Sequence, residues 1–72
     1  MKNLSQAIRA VAEDLGKQAY QNAMNGSQHP WYSVDVGTAA NVIAMIYDVD
    51  VADVHDNLYR HADDAYQGSW RK

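Results

Sequence analysis

The sequence predicts an all-α fold: a compact three-helix domain with helices over residues 4–24, 35–47 and 50–67. Three observations predict it. Apolar residues recur at steps of three or four along three separate stretches. Each stretch is bracketed by residues that start or stop helices, and no segment shows the period-two alternation of a half-buried strand. The nearest candidate, YSVDV at 32–36, is one short strand with nothing to pair with. At 72 residues the chain makes a single domain, 1–72. A core of that size rarely supplies more than roughly 3–5 kcal/mol.

In the first helix Leu4, Ile8, Val11, Leu15, Ala19 and Ala23 fall on one stripe. Asn3 or Ser5 serves as its N-cap, and Asn25-Gly26 supplies the left-handed residue that stops it. Gly16 costs this helix about 1 kcal/mol relative to alanine, so a close helix crossing or a bend is expected there. The following NGSQHPWYS is the one linker. Gly, Ser and Pro mark it as a loop, and His29 is pushed out of helical geometry by Pro30.

The second helix starts near Ser33 or Asp35, with Val36, Ala39, Ala40, Ile43, Ala44 and Tyr47 on its core face. Val42, Met45 and Ile46 make most of its remaining circumference apolar as well, which predicts the central, most buried element or a face for self-association. The third helix is capped by Asp50, with Asp53 in its first turn, where a negative charge suits the helix dipole. Val51, Val54, Leu58, Ala62 and Ala65 form its core stripe, and Gly68 is expected to end it.

Charge is distributed unevenly along this frame. Nine acids against six bases give a net charge of −3, and six of the acids, all aspartates, lie within residues 48–64 beside the single base Arg60. The absence of cysteine excludes disulfide staples, thiolate metal sites and a cysteine nucleophile. The opening MKNLSQAIRAVAEDLG lacks the continuous apolar segment of a secretory signal, and no run approaches the ~18 apolar residues of a membrane span. A cytoplasmic location is expected.

Ala44 places a small residue where two helices would nearly touch, and Val49 and Val54 place apolar residues after the turn. In this respect residues 38–57 resemble the helix-turn-helix family, which implies a tight helix pair whose second member reads DNA. Two positions depart from the family pattern. Asp48 replaces the usual turn glycine, and the residues a recognition helix would turn outward are Asp50, Ala52, Asp53, His55 and Asp56. Since DNA affinity depends on neutralising phosphates with Lys and Arg, direct DNA reading by this surface is disfavoured.

Other chemistry is weaker still. DVDVADVHDNLY begins like a calcium loop, but Ala52 stands at the third ligand position, Asp53 at the turn glycine and Tyr59 at the closing glutamate. His55 and His61 are six residues apart, on nearly opposite helix faces, so they do not form an i, i+4 zinc pair. No nucleophile elbow or phosphate-cradling loop is present, and neither catalysis nor a cofactor is expected.

The large rings are two Trp and five Tyr with no Phe, the kind that tolerates half-burial and is enriched at interfaces. Tyr20, Tyr47 and Tyr66 belong at the core edge. Trp31, Tyr32 and Trp70 either cap the core or form a contact patch. By size, acidity and lack of catalytic residues, the chain resembles the small accessory proteins of phages and mobile elements, anti-CRISPR inhibitors among them.

The expected function is a protein–protein interaction module that blocks or mimics nucleic acid at a basic surface of a host defence or regulatory complex. Its candidate contact residues are Asp48, Asp50, Asp53, Asp56, Asp63 and Asp64, with Trp31, Tyr32 and Trp70. Two alternatives remain. One is a helix-turn-helix regulator with basic residues gathered from Lys2, Arg9, Lys17, Arg71 and Lys72; the other is an antitoxin-like or subunit-like homodimer.

Overall fold

A computed structural model describes residues 3–71. They form three helices, α1 (Leu4–Met24), α2 (Val36–Tyr47) and α3 (Val51–Trp70). The start of α1 is fixed by a reciprocal cap: Gln6 donates its backbone N–H to the Asn3 side-chain oxygen at 2.8 Å, and Asn3 donates its own to the Gln6 side-chain Oε1 at 3.1 Å. Gly26, with φ 93°, turns the chain out of the helix. The α2 cap is Asp35, whose carboxylate accepts from the Thr38 N–H at 3.0 Å and the Thr38 hydroxyl at 2.7 Å. At its other end Asp48 takes the left-handed conformation, φ 54° and ψ 53°. The Val49 N–H then reaches back to the Ala44 carbonyl at 3.1 Å, a Schellman-type closure. Asp50 immediately caps α3 by accepting from the Ala52 N–H at 2.7 Å.

The dominant packing is between the two long helices. Leu4 and Ser5 line a shallow groove with Asn57 and His61, and Lys17 lines another with Gly68 and Ser69. It follows that α1 and α3 run in the same direction. Their contact is made close by small residues, Ala12, Gly16 and Ala19 on one side and Ala62 on the other, all buried. A Cβ at Gly16 would meet the Ala62 carbonyl oxygen and the Ala65 Cβ, each at 2.7 Å. The expectation of a close crossing at Gly16 is met.

Ile8, Leu15, Val34, Val36, Ala40, Ile43, Ala44, Val54 and Leu58 complete the core, and no polar or charged side chain among the described residues is buried. The linker contributes to it directly. Asn22 of α1 donates to the Pro30 carbonyl and the Ser33 hydroxyl, both at 2.9 Å, holding the loop so that Val34 is buried and Trp31 packs against the core.

Three expectations need correction. The second helix is not central: the 21- and 20-residue α1 and α3 make the main interface with each other, and α2 lies on them by one face, although four of its twelve residues are buried, the largest share of the three helices. Val51 is exposed rather than part of the α3 stripe, because the first turn of α3 projects beyond the core. Gly68 does not end α3, which continues to Trp70. The Trp70 ring packs edge-on against Tyr20 at 4.9 Å and Tyr66 at 6.1 Å, anchoring the last residues of the helix. The second helix starts where expected, with Asp35 as its cap and Val36 its first helical residue.

Candidate acidic interaction face

On α3 the buried residues Val54, Leu58 and Ala62 define the inward side. Turning by 3.6 residues per turn from that stripe, Asp53, Asp56, Asp63 and Asp64 fall within about 100° of one another on the outward side. Asp53, Asp56 and Asp64 are exposed and Asp63 is half-buried. Asp48 and Asp50, both exposed, continue the acidity into the α2–α3 turn. All six aspartates singled out from the sequence therefore belong to one helix face and the turn that leads into it. The cation among them, Arg60, bonds Asp56 at 3.1 Å with both side chains largely solvated, and an exposed i, i+4 pair of this kind contributes little energy.

The aromatic candidates separate. Tyr32 is 88% exposed and stacks only on the exposed His29, with ring centroids 4.9 Å apart. Trp31 instead tilts against Tyr59 and Tyr66 at 5.3 and 5.6 Å, and Trp70 bridges Tyr66 and Tyr20. Trp31, Tyr59, Tyr66, Trp70 and Tyr20 thus make one continuous ring cluster along the border of the acidic face. Sequence reasoning missed Tyr59. The i, i+7, i+11 spacing of Tyr59, Tyr66 and Trp70 is the signal that places the three on one line of α3.

The basic residues do not gather. Arg9 and Lys17 lie on α1 with Glu13 between them, and all three line grooves along α3, one of which also holds Asp64 and His61. Lys2 and Lys72 lie outside the described residues. Asp35, at the far end of α2, has its carboxyl held below the ordinary value by the Thr38 hydroxyl and then by the Thr38 N–H. Among the described residues no group of three His, Asp or Glu side chains is placed to hold a metal ion. No described helix is long and apolar enough to cross a membrane.

The other exposed feature is apolar. Met45 is 75% exposed, Ile46 67% and Val42 44%, and Val49 and Val51 are also solvent-facing. Comparison with family models, curated proteins and solved structures gives no match to this chain.

Proposed function

We propose that this chain is an acidic protein–protein interaction module, an inhibitor of the phage or mobile-element kind acting in the cytoplasm. In this reading the outward face of α3 occupies a basic, nucleic-acid-binding groove of a host complex as a charge mimic. The observation that carries the reading is the unbroken exposure of Asp48, Asp50, Asp53, Asp56 and Asp64 on one face and its adjoining turn. Such a field steers encounter with a basic surface and sets specificity more than affinity. Direct DNA reading is less well supported, because the bases that would contact phosphates alternate with acids on α1 instead of lining the exposed side of α3.

The test begins by capturing partners from the native host with a tagged chain. The captured protein is then purified and titrated with wild type and with a variant carrying Asp53→Asn, Asp56→Asn and Asp64→Asn, at two salt concentrations. The mimic reading expects slower association by the variant, and competition between duplex DNA and the wild-type chain for the partner. Tight, salt-sensitive binding of duplex DNA by the wild type itself would overturn it. So would an unchanged association rate in the variant, which would turn attention to Trp31, Tyr32 and Trp70.

A further inference from the structure

The exposed side of α2 is a second surface, which meets the acidic face of α3 at Asp48 and Asp50. Val42, Met45 and Ile46 follow one another at i, i+3 and i+4 on the side of the helix away from Val36, Ala40 and Ile43, and the exposed Val49 continues the apolar surface into the turn beyond Asp48. This spacing is that of an apolar face prepared for another element, yet no other part of the described chain covers it. Both ends of the helix that carries the stripe are acidic. Asp35 caps the N-terminal end, and Asp48 and Asp50 flank Val49 at the C-terminal end, all three exposed. Residues 35–53 contain four aspartates and no Lys, Arg or His.

This charge arrangement argues for one occupant and against another. If a second copy of the chain packed along the whole length of α2 in antiparallel fashion, Asp35 of each copy would approach Asp48 and Asp50 of the other. In a parallel arrangement like ends would meet. Either way carboxylates face carboxylates across a desolvating interface with no cation to offset them, which is unfavourable. A complementary partner carries its cations at both ends of an apolar stripe. From the twelve residues of α2, the separation of those ends is about 18 Å.

We propose that the outer face of α2 docks an amphipathic helix of another protein, with apolar residues at i, i+3 and i+4 and a Lys or Arg beyond them on each side, spaced to meet the two ends of α2. Met45 and Ile46 are the central apolar contacts, and Asp35, Asp48 and Asp50 receive the flanking cations. The surface shares Asp48 and Asp50 with the acidic face, but its apolar contacts stand on α2 and hold whether or not α3 mimics nucleic acid.

A synthetic helical peptide with a leucine stripe and lysines at both ends serves as the probe, alongside a charge-reversed copy with glutamates. Binding is followed by amide shift perturbation and calorimetry. The lysine peptide should shift Val42, Met45, Ile46 and Val49, and the glutamate peptide should not bind. Because Met45 and Ile46 are exposed, a Met45→Ser, Ile46→Ser variant keeps its fold, checked by circular dichroism, and should weaken binding by about tenfold or more. Asp35→Asn, Asp48→Asn and Asp50→Asn together retain the caps but should weaken binding and flatten its salt dependence. The α3 variant used above should bind the peptide as wild type does. Equal binding of the glutamate peptide, perturbations confined to α3, or no binding of the lysine peptide would each overturn the proposal. So would a concentration-dependent dimer, seen by sedimentation, that Met45→Ser and Ile46→Ser abolish, since a second copy would then cover the face.

Discussion

Gly16 of α1 and Ala62 of α3 stand so close that a single added methyl at Gly16 would lie 2.7 Å from the Ala62 carbonyl oxygen. The obstruction is backbone, so no side-chain rotation relieves it. Gly16→Ala gains up to about 1 kcal/mol of helix propensity but must force the helices apart, an overpacking cost of about 1–3 kcal/mol. The clash is expected to win, lowering the urea midpoint. Gly68→Ala is the control: nothing lies within 4 Å of a Cβ there, and a gain of roughly 0.5 kcal/mol is expected.

Asp48 occupies the left-handed region at the α2–α3 turn. Aspartate tolerates that region better than most residues, and glycine better still. Asp48→Gly should therefore stabilise the domain by about 0.5–1 kcal/mol, and Asp48→Val should destabilise it by about 1 kcal/mol or more. Thermal melts of the two variants in parallel test both signs.

The Asp35 carboxyl is held below its ordinary value by the Thr38 hydroxyl and N–H. A group whose pKa is lower in the folded chain contributes stability above its unfolded value and loses it as pH falls through the folded one. The Asp35–Thr38 cap should therefore be intact at neutral pH and weaken on acidification below about pH 4. Asp35→Asn should flatten the dependence of melting temperature on pH in that range. Carboxyl carbon NMR should show Asp35 titrating below 3.8.

Asn22 holds the linker through two hydrogen bonds of 2.9 Å, to Pro30 and Ser33. Asn22→Ala should cost about 1–2 kcal/mol and release Trp31 from Tyr59 and Tyr66. In a Trp70→Phe background, acrylamide quenching of the remaining Trp31 should rise. Unchanged quenching would mean that core packing alone places the ring.

Much of this molecule was legible in the chain itself. Helical spacing and local capping residues act within a few positions of sequence, so Asn3, Gly26, Asp35, Asp48 and Asp50 marked the helix ends within about a turn. The outward aspartates of α3 follow in the same way, since the buried stripe Val54, Leu58 and Ala62 fixes which side is left for solvent. The comparison across helices was not legible. An apolar residue on a helix declares that it can be buried, not that a partner surface exists to bury it. Residues 42, 45 and 46 therefore read as a sign of centrality when they are exposed.

What the tertiary structure decided depends on lengths and ring contacts between elements distant in sequence. Two long helices meeting through Gly16 and Ala62 form the body of the domain, leaving the shorter α2 on one side with its outer face uncovered. Trp70 extends α3 past Gly68 because Tyr20, fifty residues earlier, offers it a ring. Local sequence sets which conformations are cheap, whereas burial requires two surfaces to coincide in space, and only the packed chain specifies that coincidence.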